Sequence, residues 1–184
     1  MKLFTVDTPE RIELAAGWLS DPANYKWLDF GNGIQKVTPV TLRVMTQRDL
    51  HVVRLYTPDE EDFPVGIVGL TNVDRNFKTA SIWAVLGHKR YGGWTMPACS
   101  KMLTFAFTEL GLRAVSAWTV EINVPAQRVL ERLRFRPIGR QRQCHVIEGR
   151  AYDRLLFDLL ATEHQEVPER GTRRRVSSQA PLQR

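Results

Sequence analysis

One segment restricts the fold of this chain more than any other. An apolar, β-branched run from Ala80 to Leu86 leads into the turn His88-Lys89-Arg90-Tyr91-Gly92-Gly93-Trp94-Thr95, and a helical pattern follows from Met96 to Leu110. Cys99, Met102, Leu103, Ala106, Phe107 and Leu110 recur at the spacing of one helix face. Gly111 stops the helix, and Arg113 to Val120 is again strand-like. Strand, helix and strand in this order form a right-handed crossover, so the two strands must lie parallel. Ligands of such units collect at the carboxyl ends of the strands, where the strand order switches. The glycine turn lies at that end.

The turn has the chemistry of a phosphate site. Glycines permit close backbone approach and positive φ. The N–H groups of the first helical turn point outward, and the helix dipole favours an anion there. Lys89 and Arg90 add charge.

Around this unit the remaining pattern is mostly antiparallel. Thr8-Pro9-Glu10 starts a helix, with a capping residue, a proline at the first position and an acid in the first turn. Ile12, Ala15, Ala16 and Leu19 share its apolar face, and Asp21-Pro22 ends it. Residues Asn24 to Ile34 read as an aromatic loop or short helix. Val40 to Met45 and His51 to Tyr56 read as a hairpin across the polar Thr46 to Leu50. Val65 to Val73 and Lys78 to Leu86 are the next strands. Asn123 or Val124 opens a helix containing Pro125, with Val129, Leu130 and Leu133 as its apolar face. Ile138 to Ile147 and Arg150 to Leu160 form a closing hairpin, turned at Glu148-Gly149. The expected class is α+β: a mixed, mostly antiparallel sheet with one parallel β-α-β crossover.

At 184 residues the chain suits one domain. Its net charge of +6 invites a nucleic-acid reading. Half of that excess lies after Gln165, where Arg170, Arg173, Arg174, Arg175 and Arg184 face Glu166 and Glu169. The polar, arginine-rich residues 163–184 are expected to form a disordered tail. Aromatics are not interleaved with the basic residues, which argues against nucleic acid as a partner. Cys99 and Cys144 are the only cysteines, and CxxC and HExxH spacings are missing. A reducing cytoplasm and no zinc site are expected. The sequence has no secretory pattern and no apolar run near the ~20 residues of a membrane span.

Three segments resemble the GNAT superfamily of N-acetyltransferases, and within it the RimJ/RimL-like branch. Ile82 to Gly87 and the turn are similar to the family's fourth strand and its Q/R-x-x-G-x-G/A loop, with Arg90, Gly93 and Thr95 at the defined positions. Asn123-Val124-Pro125-Ala126-Gln127-Arg128-Val129-Leu130-Glu131-Arg132-Leu133-Arg134-Phe135 is similar to N-x-x-S-x-R-V-L-E-K-L-G-F. Gly149 to Phe157 resembles the closing hairpin. The chain departs from the pattern at Thr95, where Gly or Ala is usual, at Ala126 in place of Ser, and at Arg134 in place of Gly.

The resemblance implies a GNAT-like domain over residues 1–162 with helices on both faces of the sheet, existing as a monomer or homodimer. It implies acetyl-CoA wedged between splayed fourth and fifth strands, with no metal. Backbone N–H groups near Val85, Leu86 and Gly87 would align the thioester arm. Lys89, Arg90, Tyr91, Gly92, Gly93, Trp94 and Thr95 would take the pyrophosphate, and Asn123 the pantetheine. Asn123 equally suits a helix cap. With no hydroxyl at Ala126, Tyr152 is the candidate acid, though it also fits a hairpin core. Glu121 is the candidate base, and equally fits a surface carboxylate. His145 reads as structural and Cys99 as core. Trp27, Asp29 and Phe30 would form an aromatic wall with one carboxylate, suited to a cationic amine or a sugar ring, or would simply close the core. The implied activity is acetyl-CoA-dependent transfer to a primary amine, on a small molecule such as an amino sugar or on a protein N-terminus. A catalytically weak acyl-CoA-binding module is the alternative.

Overall fold

The computed structural model of the chain describes residues 1–31 and 33–167. In chain order the elements are β1 (Lys2–Thr5), α1 (Pro9–Ser20), α2 (Pro22–Tyr25), α3 (Pro39–Thr46), β2 (Val52–Thr57), β3 (Gly66–Asp74) and β4 (Thr79–Leu86). A 3-10 turn (Lys89–Trp94) then runs into α4 (Thr95–Thr108), followed by β5 (Ala114–Val120), α5 (Val124–Arg132), β6 (Arg136–Ile147) and β7 (Arg150–Leu160). One sheet carries all seven strands in the order β1-β2-β3-β4-β5-β7-β6. Every pairing is antiparallel except β4 with β5, which the crossover makes parallel.

The alternation of strand side chains divides the core in two. Val68, Leu70 and Ile82 pack against Ala98, Met102 and Leu103 of α4 and Leu130 of α5. Val53, Leu55, Ile67 and Val85 pack against Ile12, Ala15 and Leu19 of α1 and Leu42 and Met45 of α3. Helices therefore cover both faces, as the resemblance implies.

The strand expected over Val40 to Met45 is instead the helix α3. The Thr38 hydroxyl accepts from the Thr41 N–H at 3.2 Å, and Pro39 occupies the first turn, so the start is a capped helix. Leu42 and Met45, three residues apart, are buried, whereas Val40 and Val44 are exposed. Two β-branched residues on the solvent side gave the segment its strand-like look. The fourth antiparallel strand is β1, whose four residues pair with β2 and are too few to display a period.

Residues 163–167 continue along α4. His164 Nε2 shares a 2.8 Å hydrogen bond with the Thr104 hydroxyl, and the Val167 N–H donates to the buried Ser100 hydroxyl at 2.8 Å. The rest of the expected tail, with its arginines, lies outside the described residues.

Three large aromatics lie flat on three glycines. Tyr56 covers its cross-strand partner Gly66, Trp83 covers its partner Gly69, and Trp18 of α1 covers Gly87. A Cβ on Gly66 would stand 2.2 Å from the Tyr56 hydroxyl oxygen, and Tyr56 is fully buried. Gly66→Ala is therefore expected to destabilise the fold by about 1–3 kcal/mol, the usual cost of overpacking a core. Urea unfolding measures this, and an unchanged midpoint would contradict it.

Candidate active site

The parallel ladder between β4 and β5 is short. Thr79 pairs with Ala114, Ala80 with Val115 and Ser81 with Ser116, and no pairing follows. Beyond it the strands diverge and a cavity of about 160 Å³ opens between them. Its lining comes from both faces of the sheet. Thr95 and Cys99 of α4 and Ala126 and Val129 of α5 line one side, and Trp27, Asp29, Phe30 and Trp83 the other.

Strand alternation decides which backbone groups meet this cavity. The Gly87 N–H donates to Val65 O at 2.9 Å, so Gly87 faces β3. Antiparallel register alternates such pairs, and Val85 lies opposite Ile67 in the same phase. Of Val85, Leu86 and Gly87, only Leu86 turns its N–H toward β5, and Ala84 is the second residue to do so. Gly87 is glycine for another reason: Trp18 lies against it.

The glycine turn is more tightly wound than expected. Gly92 and Gly93 sit within the 3-10 turn, and neither has positive φ. The site is a helix start rather than a loop opened by left-handed glycines. Lys89 and Arg90 are exposed beside it. Arg90 stacks on the Tyr91 ring at 4.7 Å, and the Tyr91 hydroxyl donates to Glu61. The Tyr91 side chain thus engages the β2–β3 loop. Trp94 caps α4 without a side-chain hydrogen bond. Thr95 does not cap either; its hydroxyl shares a 3.0 Å hydrogen bond with that of Tyr56, whose phenol burial holds well above its ordinary pKa.

Asn123 is a helix cap, one of the two readings offered by the sequence. Its Oδ1 accepts from the Ala126 N–H at 3.3 Å, capping α5, and the residue also lines the cavity. Glu121 and Tyr152 do not line it. One Glu121 oxygen accepts from the Asp153 N–H at 3.0 Å and the other lies 3.5 Å from Arg140. Tyr152 lies opposite His145 in the β6–β7 register, with Arg150 over its ring at 5.2 Å. The Cys99 thiol borders the cavity, but burial pushes it up to about 12, so it is inert near neutral pH.

Trp27 and Phe30 line the cavity, and Phe30 meets Trp83 edge to face at 5.1 Å. Asp29 is there too, but its carboxylate is engaged. Arg154 of β7 donates to Oδ2 at 2.7 Å, and the Gly31 and Gly33 N–H groups donate to Oδ1 at 2.9 and 3.2 Å. Burial works to raise this carboxyl, and these donors outweigh it, leaving it below the ordinary value. Arg154 also lies 4.1 Å above the Trp118 ring and donates to Nδ1 of His145. The other nitrogen of His145, Nε2, donates to Lys26 O at 2.7 Å. This buried network fastens the aromatic loop to β5, β6 and β7. The sequence reading missed Trp83, Trp118 and Arg154. Only the phase of each strand could have pointed two of them at the cleft, and no local pattern joins Arg154 to a residue 125 positions away.

His145 is 2% exposed, and burial, seconded by Arg154, holds its imidazole below its ordinary pKa despite the bond to Lys26 O. Below about pH 6.5 the unfolded chain therefore binds more protons, and stability falls as pH drops. His51 and His164 are depressed by burial in the same way. Between about pH 7.5 and 5.5 the melting temperature should fall, and should fall less for His145→Gln. Equal falls in the two proteins would contradict this.

Residues 6–136 match the family model described as acetyltransferase (GNAT) domain. The uncharacterized N-acetyltransferase p20 of Bacillus licheniformis is 28% identical over 132 residues, 71% of each chain. Among solved structures, the spermidine N-acetyltransferase of Vibrio cholerae in complex with CoA and spermine is similar with a TM-score of 0.76 at 14% identity. The match covers 88% of this chain and 96% of that one. RimJ of Mycobacterium smegmatis in complex with CoA-disulfide gives a TM-score of 0.71 at 21% identity, covering 88% and 82%. The splayed parallel strands, the helix start at their mouth and the family match over most of the chain agree: this chain belongs to the acetyltransferase (GNAT) family and is an N-acetyltransferase.

Proposed function

We propose that the protein moves an acetyl group from acetyl-CoA, its co-substrate, to a primary amine by direct attack on the thioester. The observation that carries this is a cavity running through the sheet, with the edge of β4 between its two sides. In this reading the coenzyme lies on the α4/α5 side and the amine enters past Trp27 and Phe30. The N–H groups of Ala84 and Leu86 hold the thioester arm and draw charge onto its carbonyl oxygen. The first turn of α4, with Lys89 and Arg90, takes the pyrophosphate, and the Asn123 amide nitrogen donates to the pantetheine.

The proton-handling groups are set back from the cavity. Glu121 directly follows β5, two residues before Asn123, and would take the ammonium proton through water. Tyr152 has no contact with the cavity; the hydroxyls that line it are Thr71, Ser81, Thr95 and Thr119. Direct attack suits a site whose thiol, Cys99, stays protonated. The relatives' acceptors, spermidine in one case, support an amine on a small molecule, with a protein N-terminus as the alternative. A cytoplasmic location suits the two free cysteines. The set-back carboxylate and the missing hydroxyl at Ala126 favour one second reading, a weakly catalytic acyl-CoA-binding module.

Release of CoA thiol from acetyl-CoA across a panel of primary amines tests the proposal. Turnover with any amine supports it. Thermal stabilisation by acetyl-CoA without turnover favours the binding module. For the pyrophosphate site, Gly93→Asp places a carboxylate at an exposed position of the turn. The Kd for CoA should rise about tenfold or more, the scale of a like-charge contact, with little change in unfolding. An unchanged Kd would remove the pyrophosphate from this turn.

A further inference from the structure

We propose that the acceptor is a primary monoamine on an uncharged, flat body, and that the Asp29–Arg154 ion pair makes the enzyme reject amines bearing a second positive charge. This rests on the acetyl-transfer reading above and names its substrate class. Among the described residues, Asp29 is the only charged residue lining the cavity. Taken alone it would welcome the distal ammonium of a diamine. Its two oxygens instead already accept from three donors, one of them the Arg154 guanidinium at 2.7 Å. Asp29 and Arg154 have side chains only 16% and 15% exposed, so water screens the pair little. A second ammonium entering here would find a neutralised carboxylate backed by a cation. Its desolvation would be compensated less than by an unpaired carboxylate.

The rest of the acceptor side selects for shape. Trp27, Phe30, Trp83 and Trp118 line it. Flat apolar groups gain most from such walls. Arg154 is held in place from three directions: by Asp29, by the Nδ1 of His145 and by the face of Trp118. It does not line the cavity, so it acts through Asp29 as a positioning residue.

The test compares kcat/KM for 2-phenylethylamine and tryptamine with that for cadaverine and spermidine, using the full chain. The wild type should favour the two monoamines by about tenfold or more, the scale on which one unmet polar contact discriminates. Arg154→Gln unmasks the Asp29 carboxylate and should shift the ratio toward the diamines by a similar factor. Arg154→Lys keeps the charge and should stay near the wild type. Equal shifts in the two Arg154 variants would overturn the proposal, because loss of the planar fork alone would then explain them. Equal or better use of cadaverine or spermidine by the wild type would overturn it whether or not Arg154→Gln folds. Failure to turn over any amine would overturn the acetyl-transfer reading as well, whereas a preference for diamines leaves that reading standing.

Discussion

The site depends on a ladder that stops. Parallel pairing between β4 and β5 lasts for three residue pairs and ends at Ser81 and Ser116. Backbone donors and acceptors in a sheet are ordinarily paired. Here the inner edge of β4 loses its partner in the middle of a seven-stranded sheet. Each strand keeps its outer neighbour: β3 stays paired to β4 as far as Leu86, and β7 to β5 as far as Val120. The gap is therefore held open from both sides. It joins the two faces of the sheet.

Packing on both faces keeps the gap in register. On the α1 side, Trp83 lies on Gly69 and meets Phe30 in a T-shaped contact. On the α4 side, Tyr56 lies on Gly66 and reaches the Thr95 hydroxyl at the first turn of the helix. In each case a missing side chain on one strand lets a large one on its neighbour lie flat against the sheet. The start of α4 is thereby tied to β2, and the aromatic wall to β3 and β4. Rigid support of this kind is what positions reacting groups to within fractions of an ångström.

The crossover was legible in the sequence because its two strands and helix each have a clear period and a clear stop. The closing hairpin was legible at Glu148-Gly149 for the same reason. The helix α3 was not, since Val40 and Val44 mimic a strand and only Thr38-Pro39 announces a cap. At the site, the motif residues located the turn and Asn123, but not which amides face the cleft. That depends on the phase between β3 and β4, which the Gly87-to-Val65 hydrogen bond fixes. Nor did the sequence show that Asp29 is paired with Arg154, a partner far along the chain. A carboxylate's partners are set by the tertiary fold and leave no local pattern in the sequence.

The contact between Val167 and α4 bears on how the domain is made. Ser100 is completely buried, and its hydroxyl accepts from a backbone N–H 67 residues further on. Val167 also packs against the core that α4 shares with the sheet. On the ribosome, the helix that follows the glycine turn is complete long before this contact is available. Until residue 167 has emerged, a polar group and an apolar surface on α4 stay wet. That edge of the core is completed only by a contact 67 residues away, which adds a non-local step to the domain's assembly.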